Sequence, residues 1–126
     1  MSSLKELSIC KVTTVTGVDM KTAGKTVLYT VPVGKTFIPV MVVIRNPSAS
    51  LAGGTDYDIG TGANADTWVQ ANDLSAMTTL TTDTKIIQTG GTKYSYCASS
   101  SEFGIKVITG STAACTAVID VFGYLF

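Results

Sequence analysis

The densest polar run in the chain is Asp56-Tyr57-Asp58-Ile59-Gly60-Thr61-Gly62-Ala63-Asn64-Ala65-Asp66. Carboxylates two apart, followed by Gly and Asn, superficially match an oxygen-rich calcium loop. The match fails at its end, because an EF-hand needs Glu at the twelfth position and Thr67 stands there. In an extended chain Asp56 and Asp58 share one face, with Tyr57 and Ile59 toward a core. We therefore expect a solvated strand edge entering an Asx-type turn. Paired carboxylates also serve glycoside hydrolysis, but no other feature suggests a sugar-binding cleft.

Other chemistries find less support. The chain has no histidine, which excludes Ser-His-Asp and Cys-His arrangements, histidine general bases and most zinc sites. No Ser-x-x-Lys falls on a credible helix. Gly60-x-Gly62 lacks the third glycine and the following helix of a phosphate loop. Gly34-Lys35-Thr36 ends like a Walker motif, yet the first glycine of that motif would fall on Tyr29. Cys10, Cys97 and Cys115 cannot all pair within one chain, and their spacing fits no zinc pattern. They read as small buried hydrophobes, with a Cys97–Cys115 bridge left open. No catalytic, cofactor-binding or metal-binding residue is expected.

The remaining candidates are aromatic. Trp68, Tyr94, Tyr96 and Tyr124 would form a ligand platform if they met, and Tyr94 and Tyr96 share a strand face. A pair of that kind stacks on carbohydrate. Cores and subunit interfaces use aromatics in the same way, and that reading is preferred. The ending Phe122-Gly123-Tyr124-Leu125-Phe126 is apolar where a free terminus is normally polar and frayed, so Phe126 is expected to be docked.

The elements that carry these residues read as strands. Val27–Asn46, VLYTVPVGKTFIPVMVVIRN, is read as the central hairpin, with Val27, Tyr29 and Val31 on one side and Leu28 on the other. Pro32 ends its first strand and Gly34 makes the turn. Phe37–Ile44 is rich in β-branched residues and lacks polar alternation, so both its faces are expected to be covered, by a second sheet or a neighbouring subunit. Before it, Ser8–Val18 alternates as a first strand ending near Gly17. Strands are also expected at Asp56–Ile59, Trp68–Gln70, Lys85–Gln88, Tyr94–Ala98, Phe103–Ile108 and Cys115–Phe126. Trp68–Leu74 admits a single helical turn as the alternative. Ser75–Asp83 reads as a connection or weak edge strand, and Gly90-Gly91 as a turn. Eight to ten short strands without a 3.6-residue period mean an antiparallel sandwich or barrel. The long apolar central strand favours an all-β, two-sheet, jelly-roll-like sandwich.

The phrase Leu28-Tyr29-Thr30-Val31-Pro32-Val33-Gly34-Lys35-Thr36 resembles one found in small β-sandwich virion proteins of tailed bacteriophages and prophages. The stretch Phe103–Gly110 through Ile119–Tyr124 is similar to the closing hairpin of such proteins. With Asp56–Trp68 included, the resemblance covers most of the chain. It implies a role in building or decorating a particle, in its head or its tail, and it supplies no catalytic residue.

Composition sets the outer bounds. One sandwich domain is expected over residues 1–126, with Met1–Leu7 as a loosely held arm. Hydrophobic residues make up 45% and charged residues 14%, against a usual charged share of about a quarter. Either a threonine-rich surface is solvated without charge, or faces are hidden in an assembly; we favour assembly. The formal net charge is zero and the basic residues are scattered, which argues against nucleic acid or anionic lipid as partner. No apolar run approaches the roughly twenty residues of a spanning helix. MSSLKELSIC lacks the apolar core of a signal peptide, so synthesis in a host cytoplasm and release within a virion are expected. The sequence thus points to a non-enzymatic capsid decoration or accessory protein. The partners expected are itself, as a homo-oligomer with a trimer as first choice, and other virion proteins such as the major capsid protein. The alternative is a carbohydrate-recognising, tail fibre-like attachment module.

Overall fold

The apolar runs become eight strands in the computed structural model, which describes residues 8–80, 82–89 and 96–126. They are β1 (Cys10–Asp19), β2 (Gly24–Thr30), β3 (Phe37–Arg45) and β4 (Asp56–Gly60), then β5 (Val69–Asn72), β6 (Thr84–Gln88), β7 (Glu102–Thr109) and β8 (Thr116–Leu125). No helix occurs among the described residues. Gly90-Gly91, Tyr94 and the arm Met1–Leu7 lie outside them. Of the strand expected at Tyr94–Ala98, the described part makes only an isolated bridge between Cys97 and Phe37.

Each early strand pairs antiparallel with a late one: β1 with β8, β2 with β7, β3 with β6, and β4 with β5. The chain is a long ribbon doubled back on itself. Winding that ribbon lays β8 against β3 and β7 against β4. Sheet I then has the order β1-β8-β3-β6 and sheet II the order β2-β7-β4-β5, the pattern of a jelly roll.

This corrects the expected central hairpin. β2 and β3 lie in different sheets, so Val27–Asn46 crosses between layers. The local turn is as expected: Gly34 has φ 80°, and the Lys35 amide donates to the Pro32 carbonyl at 3.0 Å. Strand pairing, however, is taken over by remote partners. Val31 exchanges backbone hydrogen bonds with Ser100 and Ser101, and Thr36 with Phe126. The closing hairpin is corrected for the same reason, since β7 belongs to sheet II and β8 to sheet I.

Bulges reset which residues face inward. In β2 a shift between Val27 and Tyr29 turns Leu28 into the core and leaves Val27 exposed, against the simple alternation. In β3 a shift falls between Pro39 and Met41, where the missing proline N–H costs the ladder nothing. Phe37 and Pro39 point inward before it, Val42 and Ile44 after it. β1 continues past Gly17, which takes φ 67° at a second shift in that strand.

The core lies between the sheets. Tyr29, Phe37, Phe103 and Trp68 form a chain of edge-to-face rings, with centroids 5.2, 5.9 and 5.7 Å apart. Phe37 belongs to sheet I and Phe103 to sheet II, so the rings tie the layers together. Phe37 fits because Gly123 beside it has no side chain. A Cβ there would stand 2.2 Å from the Ile38 carbonyl oxygen and 2.6 Å from the Phe37 ring. Tyr57 is also fully enclosed; its hydroxyl donates to the Met20 carbonyl at 2.6 Å, and burial pushes its pKa up to about 12.

Gly123→Ala is therefore expected to lower stability by about 3 kcal/mol through overpacking against rigid backbone, read as a shift of the denaturation midpoint.

Candidate functional site

The Asp56–Asp66 run is held by its own hydrogen bonds. An Asp58 carboxylate oxygen accepts from the Ala71 amide at 2.9 Å, where Ala71 has φ 55°. Lys106 Nζ donates to Asn64 Oδ1 at 3.0 Å, and the Thr61 amide donates to Thr67 Oγ1 at 2.8 Å. Tyr57 and Ile59 point into the core, as the alternation requires. Among the described residues no three Asp, Glu or Cys side chains gather in the manner of a metal site. Lys25 Nζ, at a shallow open depression, donates to the carbonyls of Gly62 and Glu102 at 2.8 and 2.9 Å. Its ammonium straps loops together.

The three cysteines are free. Cys97 and Cys115 are buried as expected, and burial pushes the Cys97 thiol up to about 11. Cys10 departs from the expectation: it is exposed, because β1 is an edge strand of sheet I.

The aromatic candidates separate. Trp68 is only 4% exposed, with its ring edge-on to Phe103, so it is a core residue and no part of a stacking surface. Tyr96 is 69% exposed, and Tyr94 lies outside the described residues. Tyr124 is half-buried on the outer side of sheet I, opposite Ile38. The terminus is docked through its backbone: Phe126 and Thr36 exchange two hydrogen bonds, of 2.7 and 3.0 Å. The Phe126 ring nevertheless stays 51% exposed.

That docking gathers an apolar tip. Thr36 pairs with Phe126 while the adjacent Phe37 pairs with Cys97, so Tyr96, Phe126 and the Pro32–Gly34 turn share one end of the sandwich. The turn presents Val33, which is 86% exposed. Val33 escaped the sequence analysis, although an apolar residue set between Pro32 and Gly34 is itself the signal.

The two outer faces differ in kind. Side chains directly opposite in a ladder share a face. On sheet II, Lys25 stands opposite Lys106, Lys106 opposite Asp58, and Thr30 opposite Glu102. That face is mostly charged and polar, with Val27 and Ile108 exposed beside these charges. On sheet I, Met41 stands opposite Phe122, Val43 opposite Ile86 on one side and Asp120 on the other, and Ile38 opposite Tyr124. That face is apolar along β3, around the Arg45–Asp120 ion pair, and polar at its flanks, where Lys11 stands opposite Phe122 and Gln88 opposite Met41. Arg45 Nε donates to Asp120 Oδ2 at 2.8 Å, and Thr14 Oγ1 donates to Asp120 Oδ1 at 2.6 Å. The hydrogen bond from Arg45 holds the Asp120 carboxyl below its ordinary 3.8, against the opposing effect of burial. The missing alternation in β3 thus has two sources: a bulge, and an outward side that is itself apolar.

The strand order and the two layers define a jelly-roll β-sandwich. No family model and no curated protein matches the chain in sequence. Among solved structures, a chain in the capsid of Ralstonia phage GP4 superposes with a TM-score of 0.51 at 13% identity, over 92% of this chain and 83% of that one. A chain of the cyanophage Pam1 capsid asymmetric unit gives 0.49 at 14% identity, over 93% and 83%. The resemblance to phage virion β-sandwiches is thus matched in three dimensions, as a likeness of fold.

Two outcomes follow from these environments. A carboxyl whose folded pKa is depressed contributes stability that is present above its unfolded value and lost as pH falls through the folded one. Stability is expected to decline as pH drops below 3.8, and Asp120→Asn is expected to be less stable at neutral pH with a flatter acid limb, measured by urea titration across pH. A thiol-modifying reagent is expected to label Cys10 rapidly in the native protein and all three cysteines only after unfolding, read by mass spectrometry.

Proposed function

We propose that the protein is a non-enzymatic structural component of a phage-like virion, acting as a capsid decoration or accessory protein that covers and stabilises the particle. The observation that carries this reading is the jelly-roll fold shared with a chain of the GP4 capsid. The surface supports it. The polar residues that looked most chemical are engaged in fastening loops, as Asp58 and Asn64 show. Exposed apolar side chains gather at the tip, where Val33, Tyr96 and Phe126 face water.

The mechanism is burial. Covering the tip on a shell protein removes apolar surface from water at roughly 25 cal/mol per Å², adding cohesion to the shell. A chain of zero formal net charge makes such contacts with little electrostatic steering, so the association depends little on salt. The carbohydrate-recognising alternative loses Trp68, whose indole is enclosed, and with it the cluster on which sugar stacking would rest.

The test is co-sedimentation with particles of the phage or prophage that encodes the chain, prepared without this protein. The wild type is expected to sediment with heads and raise the temperature at which they release their contents. Val33→Asp and Phe126→Asp are expected to weaken that binding while leaving the fold intact. Protein that stays in the supernatant with every particle fraction overturns the reading, and binding to tails alone overturns the head assignment.

A further inference from the structure

We draw no further inference here: the strongest candidate, the apolar strip on the outer face of sheet I around Met41, Val43 and Ile86, spans only part of three strands beside Lys11, and nothing in the structure shows what covers it.

Discussion

The fold depends on the seat of one ring. Phe37 opens β3 in sheet I, reaches Phe103 of sheet II, and occupies space that exists only because residue 123 is glycine. Its own backbone is fixed from two sides: both its amide and its carbonyl bond to Cys97, at 3.0 and 2.7 Å. A ring held this way sets the spacing of the layers, and Trp68 and Tyr29 pack edge-on at either end of the chain it forms. The same seat sets the phase of β3, since Phe37 must face inward. The bulge at Pro39–Met41 then restores the inward face for Val42 and Ile44.

From that seat the surface follows. Phe37 and Thr36 bring Cys97 and Phe126 to one end of the sandwich, which is why the tip collects Val33, Tyr96 and the terminal ring. The register of β3 with β8 puts Met41, Phe122 and Tyr124 on the outside, where the second sheet cannot cover them. Asp120 lies among them and is tolerated because Arg45 and Thr14 satisfy its oxygens. A jelly roll has no need of an apolar outer face, and sheet II shows that a charged one is compatible with the fold.

The sequence announced some elements plainly. The alternation of Asp56–Ile59 gave the right inward pair, Tyr57 and Ile59, because the register shifts beside it place their extra residues on the partner strands β7 and β5. Gly34 was read correctly as a turn, since only a residue without Cβ takes φ 80° freely. Val27, Tyr29 and Val31 read as one side of β2, but the shift at Leu28 parts exposed Val27 from buried Val31, and no residue type marks it. Trp68 was legible as a core aromatic or a ligand platform alike. Its neighbour Phe103 lies thirty-five positions away in the chain, beyond any local pattern. The tip was invisible for the same reason: its members meet only through the backbone pairing of Thr36 and Phe37.

By itself the sequence determined where the strands lie and which chemistries are closed. β-branched runs, prolines and glycines act over a few residues, and the absence of histidine is a matter of composition. Tertiary structure alone decided which strands pair, which bulges turn a side chain in or out, and which apolar residues are left facing water. The physical reason is distance along the chain. Cys10 lies beside Gly123, 113 residues on, and neither local propensity nor alternation carries information over that span. Two strands that read as one hairpin accordingly went to different sheets, because each found a better partner at the far end of the ribbon.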